Sequence, residues 1–84
     1  MKVAFTDDAW DDYTHWLTAD RKVLTKVNDL IKDIKRHPYE GIGKPERLRH
    51  MEGNVWSRRI THEHRLVYVV DADTVIIQQA RYHY

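Results

Sequence analysis

The sequence predicts an α+β fold: a small antiparallel β-sheet packed against an N-terminal α-helical hairpin, in the order β-α-α-β-β-β(-β). Three observations predict it. Val23, Leu24, Val27, Leu30, Ile31 and Ile34 recur at helical spacing and make one apolar stripe. Residues 55–83 are rich in Val, Ile, Tyr and Trp and are broken only by short polar connections, as in a strand meander. A second helical pattern directly precedes the stripe, so the two helices form a hairpin that can bury its apolar face on that sheet.

Lys2-Val3-Ala4-Phe5 reads as a short strand. Thr6 then caps a helix whose first turn holds Asp7 and Asp8, where acidic side chains favour the helix dipole. Trp10, Tyr13, Trp16 and Leu17 share one face of that helix and are expected in the core. The helices meet at Thr18-Ala19-Asp20, with Asp20 as the second cap. Pro38 ends the second helix, because the residue before a proline is pushed out of helical geometry. Gly41, Gly43 and Pro45 make residues 39–44 a loop. Residues 46–50 read as a short strand or an extended connection, and Gly53-Asn54 as a turn. Strands follow at 55–62, 64–71 and 74–83. Pairing Thr61 with Arg65 across the first turn puts Arg59 and Arg65 on one face, since side chains repeat every two residues. Both faces of the last strand carry apolar residues, so its register is left open.

With 84 residues the chain has room for one domain, 1–84. About 60–65% of the unfolded surface can be buried at this size, so apolar residues must be used well. The chain has no cysteine, which excludes disulfides, Cys-zinc sites and a thiol nucleophile and fits a reducing compartment. The N-terminus turns acidic before a signal sequence could form, and no apolar run could span a bilayer. A soluble, cytoplasmic protein without membrane contact is expected. The net charge is +1, but residues 1–20 carry one Lys against five Asp, while residues 21–84 carry thirteen Lys and Arg against eight Asp and Glu. That asymmetry suggests a polyanion-facing surface, although a well-solvated helix and charged strands would read the same way.

An RNA-cleaving site that uses no metal needs a base for the ribose 2′-hydroxyl, an acid for the departing 5′-oxygen, and cations for the charged phosphorane. Glu46 can serve as base and His83 as acid, an imidazole being able to carry a proton near neutral pH. Arg59 and Arg65 can serve as fixed cations, and Lys44 and Arg49 can bind flanking phosphates. Taken singly, each has a plainer reading: Arg65 beside Glu63 as a surface ion pair, Glu46 as a solvated loop residue. His62 and His64 form an H-x-H without an evident third ligand, so they read as exposed turn histidines rather than a metal site. His83 resists that treatment, because a frayed tail gains little from Arg81-Tyr82-His83-Tyr84. A DNA-binding regulator is disfavoured, since the one basic helix spends its periodicity on the core stripe.

The blocks Gly43-Lys44-Pro45-Glu46, Trp56-Ser57-Arg58-Arg59-Ile60-Thr61, Glu63-His64-Arg65-Leu66-Val67-Tyr68 and Arg81-Tyr82-His83-Tyr84 resemble the YoeB toxin family of the RelE superfamily. Asp11-Asp12-Tyr13, Trp16 and Pro38 match as well, so the resemblance covers the whole chain. It implies a RelE-like fold and a toxin of a type II toxin–antitoxin system. It also implies cleavage of messenger RNA in the ribosomal A site, leaving a 2′,3′-cyclic phosphate and a 5′-hydroxyl, with no cofactor. By position it makes Glu46 the general base, His83 the general acid, Arg65 the transition-state arginine and Arg59 a second phosphate-binding arginine. Arg49 falls where the family often has lysine, and Tyr84 matches a terminal aromatic near the substrate. A YefM-like antitoxin, the ribosome and its message are the implied partners. Operator DNA is reached only through the antitoxin complex, and homodimers occur in the family. The competing expectation is a relative that binds RNA or ribosome without cutting.

Overall fold

The computed structural model describes residues 1–82, so His83 and Tyr84 lie outside the described residues. The elements are β1 (Lys2–Phe5), α1 (Asp7–Ala19), α2 (Arg21–Arg36), β2 (Glu46–Arg47), β3 (Val55–Arg59), β4 (Arg65–Asp71) and β5 (Thr74–Gln79). Both expected caps form. Thr6 Oγ1 accepts the Ala9 N–H at 3.1 Å, and Asp20 Oδ1 accepts those of Lys22 and Val23 at 3.0 and 3.3 Å. One side-chain oxygen at each start thus satisfies amides that have no partner within their own helix. α2 stops at Arg36, with His37 as its C-cap before Pro38.

The five strands lie in the order β1-β5-β4-β3-β2. β3, β4 and β5 form the expected antiparallel meander, but β1 pairs parallel to β5, so the sheet is mixed. The helical hairpin carries the chain from β1 to β2 at the opposite edge, and the meander brings it back so that β5 lies beside β1. Val23, Leu24, Val27, Leu30 and Ile34 of α2 bury against Leu66, Tyr68, Val75 and Ile77 of the sheet. Trp16 joins this core at 5% exposure, whereas Trp10 and Leu17 stand 51% and 41% exposed, outside the core where their spacing had put them. A helix meeting a sheet at one edge buries only part of a broad apolar face. Trp10 instead stacks on Tyr13 and meets Phe5 edge-on at the surface.

The strands are shorter than their composition suggested, and the β3–β4 turn is longer. Arg59 pairs directly with Arg65, two residues away from the expected Thr61–Arg65 register. The cause is local: Thr61 Oγ1 accepts the N–H groups of Glu63 and His64, closing a side-chain turn that takes residues 60–64 out of the ladder. A shift of two preserves parity, so the two arginines still share a face. On β5, Val67 pairs with Gln79 but Tyr68 with Ile77, leaving Gln78 as the extra residue of a bulge.

Candidate active site

The sheet has one face on the helices and one turned away from them. Trp56, Arg58, Leu66 and Tyr68 point to the helices; Val55, Ser57, Arg59, Arg65, Val67 and Val69 point away, by alternation along β3 and β4. Glu46 of β2 pairs with Ser57, Ser57 with Val67, and Val67 with Gln79, so Glu46 heads a cross-strand row on that outer face. Arg59 and Arg65 form the next row. Three candidates separated by up to nineteen positions in the chain therefore meet on one surface.

Lys44 and Arg49 are exposed on the connections beside this face. Arg59 N–H donates to Gly43 O at 2.7 Å, which holds the loop bearing Lys44 against β3. Gly43 is required there: its φ is +80°, and a Cβ would stand 2.6 Å from Leu30 Cδ2. On the other side of Glu46, buried Leu48 packs with Val55, Val67 and Val69 and donates its N–H to Val55 O. That small apolar cluster pins the start of the loop carrying Arg49.

Arg65 is not the surface ion pair that Glu63 suggested. It is 9% exposed, and its Nη1 donates to the carbonyls of Thr61, His62 and His64 at 2.9, 3.2 and 3.2 Å. The turn that displaced the strand register is thus what grips the guanidinium. Among the described residues no carboxylate lies within ion-pair distance of it, so the carbonyls fix its direction without neutralising its charge. The Arg65 backbone N–H donates to Tyr82 O at 2.9 Å, bringing the last described residue to this end of β4. The candidates His83 and Tyr84 follow directly and lie outside the described residues. His64 also departs from expectation. It is half-buried, its ring edge-on to Trp16 at 4.8 Å, and its Nδ1 accepts the Tyr82 N–H at 2.8 Å.

The functional residue that sequence reasoning missed most clearly is Arg58. It is fully buried, and all five of its N–H groups are used. Nε donates to Tyr68 Oη, Nη1 to Asp33 Oδ2 and Ile42 O, and Nη2 to His37 O and Glu40 O. One side chain thereby ties α2 and the 37–42 loop to β3, just upstream of Lys44 and Glu46. The Arg58 hydrogen bond holds the Asp33 carboxyl below its ordinary value, while burial pushes the Tyr68 hydroxyl above its own. A signal was present: Trp56, Arg58 and Ile60 alternate in phase, so Arg58 stood at an inward position between apolar neighbours.

A family model described as the YoeB-like toxin of bacterial type II toxin–antitoxin systems matches residues 5–84. The chain belongs to the YoeB toxin family. Toxin YoeB of Escherichia coli (strain K12) is 51% identical over 84 residues, spanning all of both chains. Among solved structures, the YoeB dimer from Staphylococcus aureus superposes with a TM-score of 0.91 at 44% identity, covering 100% of this chain and 98% of that one. The YoeB–YefM complex from the same organism gives 0.84 at 41% identity, again covering 100% and 98%. The α+β architecture is thus the RelE-like one, and the protein is a type II toxin. In YoeB terms, the arginine pair lies on the open sheet face and Arg58 on the helix-facing side.

Proposed function

We propose that the protein is a ribosome-dependent endoribonuclease that cleaves messenger RNA in the A site by metal-independent acid–base transesterification and so halts translation. The observation that carries this reading is the shared face: Glu46 one row from the Arg59–Arg65 pair, with the Tyr82 carbonyl accepting from the Arg65 backbone N–H. In the proposed reaction Glu46 takes the proton of the ribose 2′-hydroxyl, whose oxygen attacks the adjacent phosphorus. His83 gives a proton to the departing 5′-oxygen, leaving a 2′,3′-cyclic phosphate and a 5′-hydroxyl. Arg65, oriented by three carbonyls, opposes the charge that builds on the phosphorane, where a preoriented cation in a partly desolvated place counts most. Arg59, Lys44 and Arg49 hold neighbouring phosphates, and Tyr84 contacts the substrate. The nucleophile belongs to the RNA, so no serine, cysteine or threonine is required.

A small basic face binds phosphate but does not align a flexible strand for in-line attack. The ribosome supplies that alignment, an effect on the order of 7–11 kcal/mol in well-oriented reactions. The partners are therefore the ribosome, its message and an antitoxin of the YefM kind. The Staphylococcus aureus relatives support the antitoxin and the capacity to dimerise. An acidic antitoxin segment would be drawn to Arg49, Arg59 and Arg65 and would order on binding.

The test uses programmed ribosomes and two messages, one all-ribose and one with 2′-deoxyribose 5′ to the cut. The first is cut and the second is bound but stays whole. Efficient cleavage of the deoxy message would refute transesterification, and binding without cutting of either would favour a non-cleaving toxin.

A further inference from the structure

The last described residues do not hang free. Ala80 is fully buried, and both of its backbone groups are taken by α1: its N–H donates to Asp12 Oδ2 at 3.1 Å, and its C=O accepts from Trp16 Nε1 at 2.8 Å. Two residues on, Tyr82 has φ +66°, a left-handed conformation that costs a bulky residue about 1–2 kcal/mol. Such a backbone persists only when its surroundings hold it. Here the N–H of Tyr82 donates to His64 Nδ1 at 2.8 Å, and its C=O accepts from Arg65 N–H at 2.9 Å and Gln79 Nε2 at 3.0 Å. Trp16 links the two grips, since its ring meets the His64 ring edge-on at 4.8 Å.

We propose that Asp12, Trp16 and His64 are positioning residues for cleavage: by clamping Ala80 and Tyr82 they fix the backbone to which His83 is joined, beside Arg65. This rests on the reading of His83 as general acid. Consecutive Cα atoms are about 3.8 Å apart, so fixing the backbone of Tyr82 confines the next residue to a small arc. The left-handed backbone of Tyr82, held at both of its polar groups, sets where the chain continues to residue 83. Asp12 thus acts through the Ala80 N–H that its carboxylate accepts. His64 acts as the acceptor at Nδ1 for the Tyr82 N–H.

The full chain is assayed on programmed ribosomes for kcat and KM, with thermal melting of each variant alongside. Asp12→Ala and His64→Ala lower kcat about 10- to 100-fold, the scale of a misplacement near 1 Å. KM stays within about twofold, because the phosphate-binding face of β3 and β4 is untouched. Asp12→Asn and His64→Asn recover most of the rate, since an amide oxygen can accept the same N–H groups. His83→Ala is measured in parallel. If it cleaves like the parent, the reading of His83 fails; if it is inactive while Asp12→Ala and His64→Ala cleave at the parental rate, the clamp alone fails. A loss that follows the melting temperature and is not restored by asparagine also overturns the proposal, because it would mark the contacts as structural only.

Discussion

Replacing Arg58 with Met removes a fully buried guanidinium while roughly keeping its volume, and the structure sets the scale of the loss. Five N–H groups disappear together, taking the guanidinium donor from the carbonyls of His37, Glu40 and Ile42 and from the Tyr68 hydroxyl, and leaving Asp33 Oδ2 only the Ile42 N–H. Breaking a buried ion pair by deleting one partner costs about 3–5 kcal/mol. Asp33 is 24% exposed and can turn to water, as can the loop carbonyls, so the lower end of about 3 kcal/mol applies here. For a domain of this size each kcal/mol moves the melting point about 4–8 °C, giving a fall of ~12–24 °C. Arg58→Lys recovers little, because a lysine has three donors on a point charge and cannot span acceptors on five residues. Circular dichroism melts and urea titrations of both variants read the effect. A methionine variant melting within about 5 °C of the parent would refute the reasoning, since the network would then be worth under about 1 kcal/mol.

Two further predictions follow from the same contacts. The Asp33 carboxyl titrates below its ordinary 3.8, chiefly because of the hydrogen bond from Arg58. A depressed folded-state value means the stabilisation is present above the unfolded carboxylate range and is lost as pH falls through the folded value. Urea midpoints should therefore drop below about pH 4 in the parent and drop less in Arg58→Met, whose Asp33 has lost the cause of the shift; parallel acid limbs would contradict this. On the chemical side, Glu46→Ala and His83→Ala should each slow cleavage by about 10²–10⁴, and Arg65→Ala by about 10²–10³, in single-turnover assays on programmed ribosomes. Arg59→Ala should act mainly on binding and on its salt dependence. Parental rates for all of the first three would exclude the outer face as the cleavage site.

Local rules sufficed for much of the fold. The two caps at Thr6 and Asp20, the α2 stripe and the stop at Pro38 are decided within a few residues of sequence, because capping, periodicity and proline geometry act at that range. The sharing of a face by Arg59 and Arg65 was legible for a related reason: alternation survives any register shift of two, so parity held although the pairing itself moved. The family was legible as well, through ordered blocks running to the chain end.

Tertiary structure decided the rest. That Glu46 lies one row from the arginine pair depends on β2 docking beside β3, a pairing across the connection 48–54 whose closure no local pattern encodes. The parallel seat of β1 against β5 and the exposure of Trp10 depend on how the hairpin crosses the sheet. Arg58 and Arg65 look alike in sequence, yet alternation aims them at opposite faces. One saturates its five donors in a helix–loop–strand junction, and the other is held by three carbonyls of a turn with its charge uncompensated by any described carboxylate. Composition sees two arginines. Only the folded chain, by choosing which acceptors each can reach, makes one a tie between helix, loop and strand and sets the other on the outer face.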